Sequence, residues 1–97
     1  METEKVFVEY AIAEEALDAY RAFMAEKRSG GMRFEWYEGT DQPGLFVEVW
    51  PGVAYAAYEE FKHRRSDPED PDWGKLGDWV RGGLGKVHVW HFSAVLK

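Results

Sequence analysis

Apolar and polar positions alternate through KVFVEYAI (Lys5 to Ile12), and its β-branched and aromatic side chains predict an opening strand. The period then lengthens. AEEALDAYRAFMAEKR brings Ala16, Leu17, Tyr20, Phe23, Met24 and Lys27 onto one helical face. Glu14 and Glu15 in its first turn, Lys27 and Arg28 in its last, and Gly30 and Gly31 beyond it suit the helix dipole and a helix stop. Period two returns in MRFEWYE (Met32 to Glu38) and LFVEVW (Leu45 to Trp50), two strands of a hairpin joined by GTDQPG. Pro51 and Gly52 end that pair and open a second helix, VAYAAYEEFKHRR, with Ala54, Ala57, Tyr58 and Phe61 as its inner stripe. SDPEDPD (Ser66 to Asp72) is too rich in proline and charge for regular structure. WGKLGDWVRGG predicts a short helix capped by Asp72, with Leu76, Trp79 and Val80 inward. Gly82, Gly83 and Gly85 then turn the chain into a closing strand, KVHVWHFSAV.

The order βαββααβ, without linker or repeat, predicts one α+β domain over residues 1–97. Its architecture is ferredoxin-like, a four-stranded antiparallel sheet with helices on one face. Strand parity sorts the side chains into two faces. One collects Val6, Val8, Tyr10, Met32, Phe34, Trp36, Leu45, Val47, Val49, Val87, Val89 and His91, and is the expected floor for the helices. The other collects Phe7, Glu9, Arg33, Glu35, Tyr37, Phe46, Glu48, Trp50, Lys86, His88, Trp90 and Phe92. Aromatic groups dominate this second face, where small polar residues would suit solvent. So large a patch marks an interaction surface, and a second copy of the chain is the simplest cover.

Composition narrows the function classes. Aromatic residues make up 16% of 97 residues, more than so small a domain hides by itself. The absence of cysteine removes disulfides, zinc–thiolate sites and thiol nucleophiles together. A net charge of −6 with no basic stripe predicts no binding to nucleic acid. With neither an N-terminal apolar signal region nor a long apolar run, no membrane association is expected, and the chain is read as cytoplasmic.

The βαββααβ order, the closing VHVWHF, the Trp50-Pro51 end of the third strand, the YAAYEEF helix and the aromatic second face resemble the dimeric α+β barrel superfamily, near the antibiotic-biosynthesis-monooxygenase-like proteins. The resemblance spans nearly the whole chain as architecture and implies two subunits packed sheet against sheet, helices outside, with a pocket in or beside the barrel. Family members include cofactor-independent oxygenases, haem-degrading enzymes and small isomerases. Haem-degrading members use an asparagine, a tryptophan and a histidine; this chain has no asparagine, and only Trp50 and His63 match the other two by rough location.

On the second face, the first strand of a ferredoxin-like sheet runs between the third and fourth, so Glu9 is expected beside both Glu48 and His88. A carboxylate beside an imidazole in an enclosed site suits general-base chemistry near neutral pH. His88 is thus the candidate base, with Glu9 and Glu48 as partners. Arg33, Glu35, Tyr37, Trp50, Trp90 and Phe92 would line a site for a small aromatic substrate. The competing expectation is that these charges pair across a dimer interface and fix its register. No metal site is expected, because His91 has the other parity and His63 lies on a helix. No cofactor is expected either. The sequence therefore predicts a small-molecule-binding homodimer, a cofactor-independent monooxygenase or isomerase, against the alternative of a non-enzymatic dimer with a filled barrel.

Overall fold

The computed structural model describes residues 3–95. Strands β1 (Glu4–Ala11), β2 (Glu35–Glu38), β3 (Leu45–Pro51) and β4 (His88–Ser93) form one antiparallel sheet in the order β2-β3-β1-β4. Helices α1 (Leu17–Ser29) and α2 (Tyr55–Arg65) connect them in the ferredoxin-like order. A 3-10 turn at Glu14–Ala16 leads into α1, and Gly31, at φ 102°, supplies the left-handed step by which the chain leaves it. The expected inner stripe of α1 holds, with Tyr20 and Met24 fully buried.

Val6, Val8 and Tyr10 are buried beneath the helices, and Phe34, Val89 and the partly buried Trp36 join them, as parity predicted. β3 departs from the prediction. Val6 pairs with Trp50, Val8 with Glu48 and Tyr10 with Phe46, and directly opposed residues share a face. Phe46, Glu48 and Trp50 therefore point to the helix side, while Leu45, Val47 and Val49 take the second face. Both parities of LFVEVW carry large side chains, so hydrophobicity alone leaves the strand's orientation open. Burial of Glu48 is possible because α2 supplies its counter-ion, Arg65.

Two smaller corrections concern the helical segments. Ala54 and Ala57 are exposed, and the inner stripe of α2 is Tyr58, Phe61 and Arg65, with Arg65 2% exposed. The expected third helix is a 3-10 turn, Gly74–Asp78, and no side chain caps it, neither Asp72 nor another; one Asp70 oxygen instead accepts the backbone N–H groups of Asp72 and Trp73 in the loop before it. Leu76 and Val80 nonetheless turn inward, as predicted. A Cβ on Gly74 would lie 2.3 Å from the Pro68 carbonyl oxygen, so only glycine allows the loop to fold back this closely.

Candidate functional site

The open face of the sheet carries two rows of side chains. Glu35, Val49, Phe7 and Trp90 lie across from one another in one, and Tyr37, Val47, Glu9 and His88 in the next. Glu9 and His88 are direct cross-strand neighbours, as the sequence predicted. Glu48 is not with them: Val47 occupies the place opposite Glu9. The His88 ring stacks on Trp90 at 5.8 Å and 11°, and Phe7 meets Phe92 edge to face at 5.1 Å. Tyr37, Trp90 and Phe92 are 55%, 44% and 53% exposed among the described residues. A cleft of about 390 Å³ runs along Phe7, Glu9, Val47, Trp90 and Phe92. Glu35 is engaged locally, accepting a 2.6 Å hydrogen bond from the Tyr37 hydroxyl, and exposed Arg33 sits just before β2, away from His88.

The helix side holds a different constellation, centred on Glu48. Its Oε1 accepts from Arg65 Nη1 at 2.7 Å and from Trp50 Nε1 at 2.8 Å. Its Oε2 accepts from Arg65 Nη2 at 2.8 Å and from the Tyr10 hydroxyl. Because Tyr10 donates to Glu48, its oxygen accepts from Tyr20 at 2.8 Å, and Tyr20 in turn accepts from Trp36 Nε1 at 2.9 Å. Four donors saturate the carboxylate, so Glu48 has no lone pair directed at a substrate proton. Burial disfavours the charge of Arg65, but the opposite charge and hydrogen bonds of Glu48 outweigh it and hold the guanidinium above its ordinary pKa. Burial first, and then the charge of Glu48, push the Tyr10 phenol well above its usual value.

Arg65 also borders a pocket of about 280 Å³, whose other walls are Met32, Trp50, Val53, Phe61, Arg64, Asp72 and Trp73. Trp50 stacks on Phe34 at 4.6 Å and meets Phe61 and Trp73 edge to face at 5.4 and 6.0 Å. The guanidinium carbon of Arg65 lies 3.7 Å from the Trp73 ring centroid, a close cation–π contact. The SDPEDPD loop fixes Trp73 there. Arg64 Nε binds Asp70 at 2.8 Å and Arg64 Nη2 binds Asp72 at 2.9 Å, while Asp70 accepts the Trp73 N–H.

Sequence reasoning thus placed Trp50 on the wrong face and missed Arg65, Phe61 and Trp73 as site residues. A signal for Arg65 was present, since it continues the stripe Tyr58, Phe61 at helical spacing, but FKHRR reads as a solvated helix end. His91 does belong to the helix side: its Nε2 lies 2.9 Å from the Val53 carbonyl oxygen and 3.2 Å from Glu4, with Tyr55 and Tyr58 against its ring. His63 is exposed on α2. Among the described residues no three histidine, aspartate or glutamate side chains cluster as a metal site would require.

No family model matches the chain, and no curated protein sequence matches it. Solved structures do. One is an antibiotic biosynthesis monooxygenase, with a TM-score of 0.61 at 19% identity over 96% of this chain and 99% of that one. Another is a protein from Shewanella oneidensis, with a TM-score of 0.57 at 19% identity over 95% of this chain and 91% of that one. The chain shares its ferredoxin-like fold with these structures. No helix among the described residues is long and apolar enough to cross a membrane.

Proposed function

We propose that the protein is a small-molecule-binding homodimer whose ligand, a small aromatic compound, sits in the helix-side pocket of each subunit. The observation that carries this reading is the set of aromatic walls, Trp50, Phe61 and Trp73, held rigid by packing and by the Arg64–Asp70 pair beside a buried guanidinium. Mostly apolar walls with a few fixed polar groups are the usual make-up of a ligand pocket. The reaction proposed is cofactor-independent oxygenation or isomerisation, in keeping with the structural neighbour solved as a monooxygenase. The second copy covers the open face of the sheet, with Phe7, Val47, Trp90 and Phe92 at its centre.

A second reading rests on the open-face cleft. If the ligand lies between the two sheets instead, His88 is the base, Glu9 its partner, and Tyr37, Trp90 and Phe92 the walls. The non-enzymatic dimer is favoured by a different observation, the saturation of Glu48 by four donors. One experiment separates the three. Small aromatic compounds are screened by tryptophan fluorescence and oxygen uptake on the parent protein and on the Phe61→Ala and His88→Ala variants. Loss of binding in Phe61→Ala alone supports the helix-side pocket, and loss in His88→Ala alone supports the inter-sheet site. Absence of any ligand response supports the filled structural dimer.

A further inference from the structure

The open face of the sheet ends in a cleft of about 340 Å³, where Glu9 and His88 of the paired strands meet Arg81 and Lys86 of the glycine-rich turn before β4. Backbone bonds fix this turn beside the end of β1. The Arg81 N–H donates to the Ala11 carbonyl oxygen at 2.8 Å, and the Ala13 N–H donates to that of Trp79 at 2.9 Å. Gly82 and Gly83, at φ 84° and 79°, then turn the chain back through the left-handed region that glycine enters without strain. A Cβ on Gly82 would lie 2.6 Å from Lys86 Cγ, so the Lys86 stem folds over the residue next to Arg81. Among the described residues neither Arg81 nor Lys86 has an ion pair or an aromatic ring beneath it. Most other cations of the chain do: Arg21, Arg64, Arg65 and Lys75 are ion-paired, and Lys27, Arg28 and Lys62 lie over rings.

We infer that this cleft is a second binding site, separate from the helix-side pocket, and that it takes the carboxylate of a small organic monoanion. Two cations that share a cleft without a counter-ion repel each other until an anion joins them. Glu9 borders the same cleft yet pairs with neither. Arg81 also borders a neighbouring cleft that holds Glu14, again without an ion pair. Arg81 and Lys86 set against Glu9 leave a single positive charge there, in a chain whose net charge is −6. That balance matches a carboxylate. A phosphate monoester would bring about −1.5 to −2 charges toward Glu9 and is disfavoured. A guanidinium fork pairs with a carboxylate through two parallel N–H···O bonds, and both cations are exposed and free to reach it. The Ala11–Leu45 pair that borders the cleft is the last of the sheet, beyond the Phe7, Val47, Trp90 and Phe92 centre of the proposed dimer contact. The site therefore does not depend on the helix-side pocket holding a ligand.

Amide-resolved NMR titration of the parent protein with benzoate, benzamide and phenyl phosphate, at pH 7 and low salt, tests this. Benzoate is expected to shift the Gly82, Gly83 and Lys86 amides saturably, and to bind there about tenfold more tightly than benzamide. It should also bind more tightly than phenyl phosphate. Arg81→Gln and Lys86→Gln should each weaken benzoate by about threefold to fivefold, the scale of an exposed ion pair. Both side chains are exposed, so these variants keep the fold. Lys62→Gln, which removes an exposed cation on α2, should leave benzoate binding unchanged, and Glu9→Gln should favour phenyl phosphate more than benzoate. Equal weakening by Lys62→Gln would reveal diffuse attraction to the surface, and equal binding of benzamide would show that charge is not used. Either result would overturn the inference. Tightest binding by phenyl phosphate would overturn the charge balance and with it the choice of a carboxylate. Absence of saturable shifts at Gly82, Gly83 and Lys86 would remove the site. Shifts confined to Trp50, Phe61 and Trp73 would do the same while supporting the helix-side pocket, so the two readings fail separately.

Discussion

At the scale of single residues, Glu48 shows how a charge can defeat a reading by parity. In LFVEVW a carboxylate flanked by valines argues for the solvent side of a strand, and nothing local argues against it. The decisive fact lies 17 residues away, where Arg65 meets it in the core at 2.7 Å. Buried pairs of this kind are expensive to break by halves, since the remaining charge is left without compensation. Arg65→Met is therefore expected to lower stability by about 3–5 kcal/mol in urea unfolding. The double variant Glu48→Met/Arg65→Met should lose clearly less than the sum of the two single changes. Additive losses would mean that the pair is not coupled in the folded protein. The phenols bonded into this network give a spectroscopic counterpart. Burial above all pushes both Tyr10 and Tyr20 above the ordinary value of 10.0. A raised folded pKa means that the stability it contributes is complete below the unfolded pKa near 10 and is lost as pH rises through the folded value. Of the five tyrosines, Tyr10 and Tyr20 should thus form phenolate only as the protein unfolds, which alkaline absorbance titration beside circular dichroism reads directly.

Elements were more legible than the contacts between them. The opening and closing strands, the inner stripe of α1 and the hairpin follow from periods of two and 3.6, because burial of a whole face enforces those periods. Where few side chains are buried the pattern is silent. In α2 only Tyr58, Phe61 and Arg65 turn inward, so the small residues Ala54 and Ala57 misled. The closing strand was read correctly on both faces, and its histidines make that reading testable. His91→Ala removes the bond to Val53 and the packing against Tyr55 and Tyr58, and should cost about 1–3 kcal/mol. His88→Ala, on the exposed face, should leave the monomer fold's stability within about 0.5 kcal/mol. The reverse order in urea unfolding would mean that the faces of β4 are exchanged. The SDPEDPD loop has its own signature in acid. Burial raises the pKa of Asp70, but Arg64 and the N–H groups of Trp73 and Asp72 more than offset it and hold the carboxyl below its ordinary value. Its contribution is present above the unfolded pKa near 3.9 and is lost as pH falls through the folded value. Asp70→Asn should accordingly flatten the acid limb of Tm against pH below about 4, whereas an unchanged limb would show that the Arg64–Asp70 tie does not hold the loop in solution.

For the molecule as a whole, the covered side of the sheet was recognisable from sequence and so was the aromatic character of the other. Only the residues of β3 changed sides, and the exchange left the open face apolar, because Leu45, Val47 and Val49 replaced Phe46, Glu48 and Trp50. The radius of gyration, 13.4 Å, exceeds the roughly 12.5 Å expected of a compact monomer of this length. A single sheet layered with helices on one side alone has that extended shape, with principal extents of 42, 32 and 26 Å. Water against Phe7, Val47, Trp90 and Phe92 is the unfavourable term, and packing this face on a second copy would remove it without any new sequence feature. Charge does not oppose the contact at its centre, where Glu9 has His88 as neighbour on the same face. The parent protein is therefore expected to be a dimer at micromolar concentration in light scattering, with a Tm that rises as protein concentration rises. Replacing Trp90 and Phe92 by glutamate sets repelling carboxylates across the symmetry axis while leaving the helix-side core untouched. That double variant should scatter as an 11.2 kDa monomer, keep its far-ultraviolet circular dichroism and lose the concentration dependence of Tm. A parent that is monomeric at these concentrations would remove the barrel, and a variant that stays dimeric would place the interface on some surface other than this sheet.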